Sequence, residues 1–299
     1  MVGLLFANLS IAQDLEISMK GYGEKKLKKF PKKVYIQEFN VNFQMTADAK
    51  AVSKATTNSR RGSSSASMNV AVTGVDVTDL QSITDNVYKE FVASLKSEGF
   101  EIISSEEAGK AKYFEEHQLM ESNINEDQNP GYLKVTPTGF TYFVKKISKA
   151  GKEKTQAAVP MKLLKELDDV MVIRANYSFS SIYLVAKQNT TLGTSSVKGK
   201  VGLQMPGCSI MAMAGVMTNL AFTPKKPQSY EGVFVDEGEK LKAFSLATAP
   251  TYNGYMTHSS TDYTHQAENI GSKYQTTTEN AMKGFNKLAL ADLFSYFAR

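Results

Sequence analysis

The sequence carries a dense run of β-branched and aromatic residues near its start, Val34-Tyr35-Ile36-Gln37-Glu38-Phe39-Asn40-Val41-Asn42-Phe43. Apolar and polar residues alternate in the second half of the run, which is typical of a β-strand with one buried face. The run therefore predicts a strand of a sheet with one face in the core.

A helix is predicted after this strand, over residues 78–95. Thr78 and Gln81 match a capping box, and Gly99 stands where a helix stop belongs. Apolar residues recur at three- and four-residue spacing on one face of the segment; they are Leu80, Ile83, Val87, Phe91 and Leu95. Residues 100–103 then predict a second strand, and Ser104 begins a shorter helix.

Residues 45–77, between the first strand and this helix, predict an inserted β-hairpin with a polar tip. Small or apolar residues alternate with polar ones in both arms, among them Ala47, Ala49 and Ala51 in the first arm and Met68, Val70 and Val72 in the second. Arg60 and Arg61 lie in the tip. We interpret Arg60, Arg61, Met68, Val70 and Val72 as candidate contacts with a membrane or a partner.

The second half of the chain is richer in strands. Residues 170–187 give the longest strand signal, and residues 197–203 alternate as another strand. The segment 207–222 could be a hairpin arm or a small buried helix, because its periodicity does not decide between them. Residues 232–235 and 241–244 flank a turn with a glycine and predict a second hairpin.

The chain ends in a predicted helix with Thr278 as its cap. Its apolar face contains Met282, Phe285, Ala289, Leu293 and Phe297. The order of strands and helices predicts an α/β (α+β) fold with a mixed sheet covered by helices. We assign residues 34–299 to a single domain with hairpin insertions at 45–77 and 197–222.

Composition is that of a globular protein. The 299 residues are 42% hydrophobic and carry a net charge of +5. This charge is spread along the chain, whereas a nucleic-acid domain usually concentrates it on one face, so we expect no nucleic-acid partner. The single cysteine, Cys208, excludes an internal disulfide. Its apolar neighbours predict a buried, inert thiol.

The N-terminus predicts export. Residues 1–13 form a short apolar run that ends in small and polar residues, as the end of a secretory signal does, although no basic residue precedes it. Residues 14–33 contain six lysines in nine positions and predict an extended, flexible basic arm. Its lysines Lys25, Lys26, Lys28 and Lys29 are candidate contacts with an anionic partner.

The histidines of the sequence do not predict a metal or catalytic site. His258, Asp262 and His265 would align on a helix and could hold zinc, but the surrounding Thr, Ser and Gly residues favour a surface loop. His117 follows two glutamates and predicts a solvated helix face. We therefore assign no catalytic, cofactor-binding or metal-binding residue.

Two parts of the sequence together resemble a known family. The first is the strand 33–39, the helix 83–95 and the segment 99–107; the second is the hairpin 233–244 with the terminal helix. Their order resembles the periplasmic domain of the curli secretion channel family (CsgG-like proteins) and, more loosely, the N-terminal domain of TolB. The likeness covers about half of the chain and is one of pattern.

This resemblance implies a ring-shaped homo-oligomer at the outer membrane, to which each subunit contributes β-hairpins. The sequence departs from the family pattern because no cysteine lies near residue 13 for a lipid anchor. The expected function is therefore a non-enzymatic, exported structural or secretion-assembly component in the periplasm or outer membrane. The alternatives are a monomeric periplasmic or surface ligand-binding module and, less favoured, a hydrolase without a recognisable motif.

Overall fold

The computed structural model describes residues 15–53, 64–126, 128–154, 159, 161–189, 194–238, 247–248, 262–263 and 265–298. The predicted signal segment 1–13 lies outside the described residues. The α-helices are α1 (Val77–Ser97), α2 (Ser105–Ala108), α3 (Met161–Glu166) and α4 (Lys273–Ala298). None of the helices in these ranges is long and apolar enough to cross a membrane.

The strands are, in chain order, β1 (Ile17–Tyr22), β2 (Lys33–Gln44), β3 (Thr46–Ser53), β4 (Ser64–Thr73), β5 (Glu101–Ile103), β6 (Gln118–Glu121), β7 (Ile124–Asn125), β8 (Tyr132–Val135), β9 (Thr141–Val144), β10 (Lys146–Ile147), β11 (Glu153–Lys154), β12 (Met171–Asn189), β13 (Thr194–Ala214), β14 (Thr218–Pro224), β15 (Gln228–Tyr230), β16 (Ala247–Thr248), β17 (Asp262–Tyr263) and β18 (His265–Glu268). Short 3₁₀ turns occur at Glu24–Lys29, Lys112–Phe114 and Gly215–Met217.

Nine of these strands form one mixed sheet in the order β1-β14-β13-β12-β2-β8-β7, with β5 beside β2 and β15 beside β13. Strand β2 runs parallel to β12 and β5 but antiparallel to β8. Parallel neighbours need a crossover connection, and α1 lies in the one between β2 and β5. The predicted α+β class, with a mixed sheet covered by helices, is confirmed.

Helices α1 and α4 cover one face of the central sheet. Phe39 of β2 is fully buried beneath them, with ring centroids 5.1 Å from Tyr88, 5.6 Å from Phe91 and 5.4 Å from Tyr177. All five residues of the predicted apolar face of α1 are buried. The 3.6-residue period thus identified the side of α1 that meets the sheet.

The predicted helix starts are wrong by a few residues. Helix α1 begins after Asp76, whose backbone N–H donates to Asp79 Oδ2 at 2.8 Å, so two aspartates take the part assigned to Thr78 and Gln81. The Asp76 and Asp79 carboxylates also lie near the positive end of the helix dipole, which stabilises a helix start at this position. Gly99, at φ 81°, follows the helix as predicted.

Helix α4 also begins earlier than expected. Thr278 lies inside it and donates its hydroxyl to the Tyr274 carbonyl at 2.7 Å. The Asn269 side chain, which precedes the helix, instead accepts from the Tyr274 N–H at 2.8 Å. Serine, threonine and asparagine can all supply this contact, so the sequence offered several candidates for one position.

Strands β12 and β13 form a long antiparallel hairpin. At about 3.3 Å per residue, the 21 residues of β13 extend about 70 Å. Only the half of β12 up to Phe179 pairs with β2. The other half packs against a three-stranded sheet in the order β18-β4-β3. The hairpin predicted at 45–77 is confirmed as β3 and β4, although its tip, with Arg60 and Arg61, lies outside the described residues.

The apolar residues of β4 do not face a membrane or a partner. Met68, Val70 and Val72 are at most 2% exposed and belong to the same buried cluster as Ile182 and Val201 of the long hairpin. This corrects their assignment as contact residues. The alternating pattern did identify a buried face, but the surface that buries it is part of the same chain.

The hairpin insertion predicted at 197–222 is not a separate unit. Residues 197–203 belong to β13, whose main partner is β12. The undecided segment 207–222 is β-structure: the end of β13 pairs with β14 across the 3₁₀ turn Gly215–Met217. This hairpin lies within the central sheet, where continuous backbone pairing outweighs the weak local pattern.

One further prediction is corrected, and another falls partly outside the described residues. The arm 14–33 is not extended and flexible in its described part, because β1 pairs with β14 and Leu27 of the following turn is 1% exposed. In the first arm of the predicted hairpin of 232–235 with 241–244, Phe234 makes an isolated antiparallel bridge with Asn269. The second arm lies outside the described residues.

A buried glutamine stabilises the irregular step in β12. Gln44, 8% exposed at the end of β2, accepts hydrogen bonds on Oε1 from the N–H groups of Ser181 at 2.8 Å and Ile182 at 3.0 Å. The register of β12 against β13 shifts at this point. Where the strand pairing is irregular, the Gln44 side chain therefore supplies the acceptor that a neighbouring strand would otherwise give to these two buried N–H groups.

We expect Gln44→Ala to lower the free energy of unfolding by roughly 2–4 kcal/mol, because two buried N–H groups lose their acceptor. Urea denaturation followed by circular dichroism measures the change. Gln188→Ala, at an exposed glutamine of β12, is the control and should cost less than about 0.5 kcal/mol. Equal stability of the two variants would contradict the role assigned to Gln44.

Candidate ligand-binding site

The second face of the central sheet is only partly covered. At one end, Tyr35, Val172 and Met213 pack under Phe114 and Leu163 in a second, smaller core. Beyond this core, the strands carry polar rather than apolar side chains on this face.

These polar side chains lie in rows across neighbouring strands. Asn40, Asn176 and Ser209 occupy one row over β2, β12 and β13, and Asn42 with Ser178 occupies the next. All five are half-buried, and Asn40 Nδ2 donates to Asn176 Oδ1 at 2.9 Å. We call these five residues the amide face. Amides and hydroxyls offer both donors and acceptors to a polar partner.

A buried ion pair separates the amide face from the second core. Arg174 is 5% exposed and pairs with Glu38, whose other oxygen lies 3.5 Å from Asn176 Nδ2. A buried charge is tolerated only when it is paired and hydrogen-bonded. The Arg174–Glu38 pair therefore lies at the edge of the amide face that adjoins the second core.

A cavity of about 350 Å³ lies at the other border, beside β7 and β8. Its lining combines apolar side chains with amides and carboxylates; it consists of Met120, Asn123, Ile124, Asn125, Glu126, Ile147, Gly151 and Glu153. Its size falls within the usual range for small-molecule sites, and so does its mixture of an apolar wall with a few polar groups.

One lining residue, Glu153, forms a buried ion pair with Lys134, which does not itself line the cavity; the two side chains are 2% and 8% exposed. Tyr142 donates its hydroxyl to Glu153 Oε1 at 2.9 Å, and its ring centroid lies 4.9 Å from Lys134 Nζ. Burial first, and the nearby Glu153 carboxylate second, raise the pKa of Tyr142. The phenol therefore stays protonated and remains a donor to Glu153.

Lys134 also connects the cavity to the amide face, because it pairs with Asn42 across β2 and β8. The short β10-β11 ribbon carries Glu153 and brings its carboxylate over this part of the sheet. The arrangement can hold a small molecule between an apolar wall and a fixed, buried carboxylate. It offers binding chemistry rather than an activated nucleophile.

Local sequence patterns do not predict Lys134, Tyr142 or Glu153 as site residues. Lys134 and Tyr142 lie in a segment rich in threonine and aromatic residues, and Glu153 lies in a basic, turn-rich stretch. None of the three belongs to a spaced motif. The only available signal was a lysine at an alternating position of a strand, which usually marks a solvated face.

The predicted site residues have different outcomes. Lys25, Lys26, Lys28 and Lys29 are exposed, as expected of contacts with an anionic partner. His258 lies outside the described residues, while Asp262 and His265 lie in β17 and β18 rather than on a helix. In the described ranges, no group of three His, Cys, Asp or Glu side chains could hold a metal ion.

His117 is not on a solvated helix face. It follows the 3₁₀ turn Lys112–Phe114, and its ring lies 4.7 Å from that of Tyr113 and 5.4 Å from that of Phe114. Burial, followed by the charge of Lys145, lowers its pKa. The glutamates before it suggested solvation, but the aromatic neighbours pack over the imidazole.

Cys208 is the buried thiol that the sequence predicts, 5% exposed and free. Burial raises its pKa far above the ordinary value. Since the thiolate is the reactive form, we expect alkylation at pH 8 to be roughly 100-fold slower in the native protein than in denaturant. Mass spectrometry of iodoacetamide-treated samples measures both rates; comparable rates would contradict burial of the thiol.

The structure thus defines an α+β protein with a polar sheet face and a cavity beside a buried ion pair. The chain has no significant match among protein-family models, curated proteins or solved structures. The resemblance to CsgG-like proteins and to TolB stays a prediction.

Proposed function

We propose that the chain is a non-enzymatic, exported ligand-binding module, and that its ligand occupies the cavity beside Glu153. The supporting observation is the combination of an apolar wall, formed by Met120, Ile124 and Ile147, with a fixed carboxylate. A buried ion pair costs desolvation and is weak evidence for stability alone. A role in orienting a ligand would account for the burial of the Lys134–Glu153 pair despite its desolvation cost.

The ligand that suits this cavity is a small organic amine with an apolar part. The lining of the cavity contains two carboxylates, those of Glu126 and Glu153, and no lysine or arginine. A lining of this composition favours a cation. Met120 and the two isoleucines provide the apolar contact that an inorganic cation would not use.

Thermal unfolding with a panel of small alkyl and aryl amines tests this proposal, with the corresponding alcohols as neutral controls. An amine at 100 times its dissociation constant should stabilise the protein by about 2.7 kcal/mol. Met120→Trp, which fills the cavity with a larger side chain, should abolish the stabilisation.

The matched control is Leu119→Trp. Leu119 precedes Met120 on β6 but is 43% exposed and does not line the cavity, so this variant should keep the response to amines. A panel that stabilises neither protein, or that stabilises the Met120 variant as well as the wild type, would argue against the cavity as the binding site.

An oligomeric structural or secretion-assembly role at the periplasm or outer membrane is the second proposal. It is supported by the amide face, a polar face in the centre of the sheet that is only half-buried. Non-obligate interfaces are about as polar as the rest of a protein surface, so copies could associate through this face. The burial of Met68, Val70 and Val72 makes a shared membrane barrel the less favoured form of this role.

Light scattering with and without detergent tests the second proposal. We expect the wild type to be larger than a monomer, and Ser178→Arg, which adds a charge to the amide face, to be monomeric. Lys198→Gln on the exposed part of β13 is the control. A wild type that stays monomeric under both conditions would refute this role while leaving the amine site untouched.

A further inference from the structure

The predicted basic arm forms an ordered surface turn. Strand β1 ends at Tyr22, Gly23 adopts a φ of 85°, and the 3₁₀ turn Glu24–Lys29 follows. The turn is anchored by Leu27, which is 1% exposed and belongs to the main core. The turn also packs against α4 and β14. Its backbone is therefore fixed, while its lysines point away from the core.

Four lysines surround the single buried leucine. Lys25, Lys26, Lys28 and Lys29 are all exposed. Within the described part of the chain, none of them forms an ion pair. Residues 20–33 contain seven lysines but only one carboxylate, that of Glu24. The turn thus carries four lysines against one carboxylate, a concentrated net positive charge.

Two large apolar side chains lie exposed next to this charge. Tyr22 is 56% exposed and Met217 is 55% exposed. Their segments are in direct contact: a Cβ on Gly23 would collide with the Met217 carbonyl oxygen, and Thr218 Oγ1 donates to the Gly23 carbonyl at 3.1 Å. Close packing at Gly23 therefore holds the lysine turn beside Tyr22 and Met217.

The neighbouring strand adds no opposing charge. Strand β14, which pairs with β1 and contacts the turn, contains no charged residue. Lys32 and Lys33 are engaged elsewhere, with the Glu98 carbonyl and with Asp169 respectively. We call Tyr22, Met217 and the four lysines of the turn the basic surface.

We propose that the basic surface docks on an anionic phospholipid membrane. Lysines near such a membrane are attracted to its negative surface potential, and their contributions accumulate. Tyrosine suits the boundary between headgroups and hydrocarbon because its ring is apolar and its hydroxyl is polar. Methionine adds a flexible apolar contact.

The absence of arginine in residues 20–33 favours a lipid surface over a defined phosphate site. Arginine recognises individual phosphates through a planar, bidentate geometry, whereas lysine acts as a mobile point charge. A diffuse layer of anionic headgroups needs charge but no fixed geometry. This inference is independent of the amine site and of oligomerisation.

Co-sedimentation of the full chain with vesicles tests the proposal. We expect binding to vesicles of phosphatidylcholine with phosphatidylglycerol, and little binding to phosphatidylcholine alone. Raising the salt from about 0.05 M to about 0.5 M should release the protein, because exposed charges are then screened within a few ångströms.

Replacing Lys25, Lys26, Lys28 and Lys29 by glutamine should weaken binding by about 100-fold or more. The matched control replaces four other exposed lysines, Lys50, Lys187, Lys198 and Lys200, and should bind within a few-fold of the wild type. Circular dichroism checks that both proteins are folded. Equal losses in the two variants would show that only net charge matters and would overturn the assigned surface.

A second variant tests the apolar contribution. Tyr22→Ser with Met217→Ser should weaken vesicle binding several-fold while leaving its salt dependence unchanged. Unchanged binding of this variant would remove Tyr22 and Met217 from the docking surface. Tighter, lysine-dependent binding to a single-stranded oligonucleotide at the same salt concentration would replace the lipid assignment with a nucleic-acid one.

Discussion

Replacing Lys134 by methionine should lower the free energy of unfolding by about 3–5 kcal/mol. The side chain of Glu153 is 2% exposed and would lose its only cationic partner in the described part of the chain. Removing one member of a buried pair leaves an uncompensated charge away from water, which is much more costly than losing the pair as a whole. Tyr142 could still donate to the carboxylate but supplies no full charge.

The double variant Lys134→Met with Glu153→Leu is the decisive comparison. It removes both charges and keeps roughly the same volume, so we expect it to recover most of the lost stability. Urea denaturation at neutral pH measures all four members of the cycle. A double variant as unstable as the single variant would show that the site depends on the packing of the lysine stem rather than on charge.

This cycle also separates stability from ligand binding. The double variant should be folded but should lose its response to amines, because Glu153 supplies the fixed carboxylate of the cavity. A folded double variant that still responds would place the amine elsewhere. Leu119→Trp remains the control for changes near the cavity that do not line it.

The second large effect is expected at the centre of the core. Phe39→Ala should cost about 3–5 kcal/mol, the usual range for a fully buried phenylalanine. Phe39 is 0% exposed, and its ring lies between Tyr88 and Phe91 of α1 and Tyr177 of β12. The alanine would leave a cavity where α1 contacts the sheet.

Two further variants provide comparisons for Phe39→Ala. Phe39→Leu keeps most of the buried apolar volume and should cost clearly less than Phe39→Ala. Leu288→Ala, at a leucine of α4 that is 38% exposed, should cost less than about 1 kcal/mol. If Phe39→Ala were as mild as Leu288→Ala, Phe39 would not be at the centre of the core.

Local sequence patterns identified the strands and helices whose buried apolar residues recur at regular spacing. The strand 34–43 lies within β2, and the apolar face of α1 is buried as its spacing predicts. The burial of Cys208 also followed from its apolar neighbours. In each case the information lies within a few consecutive residues, where side-chain direction depends only on the backbone repeat.

The candidate site could not be predicted in this way. Lys134 and Glu153 come from different strands and meet only because the β10-β11 ribbon folds over β8. Gln44 and Ser181 are far apart in sequence yet form one hydrogen bond at the irregular step of β12. A single lysine, glutamate or glutamine carries no local signal of its partner.

The sequence by itself determined the α+β class, the main helices, the β3-β4 hairpin and the apolar faces that must be buried. The tertiary structure decided what covers each face. Met68, Val70 and Val72 meet the long hairpin instead of a membrane, and Leu27 fixes a turn that its lysines predicted to be flexible. The reason is physical: alternation and periodicity report that a side chain leaves water, whereas its partner depends on strand register and long-range packing.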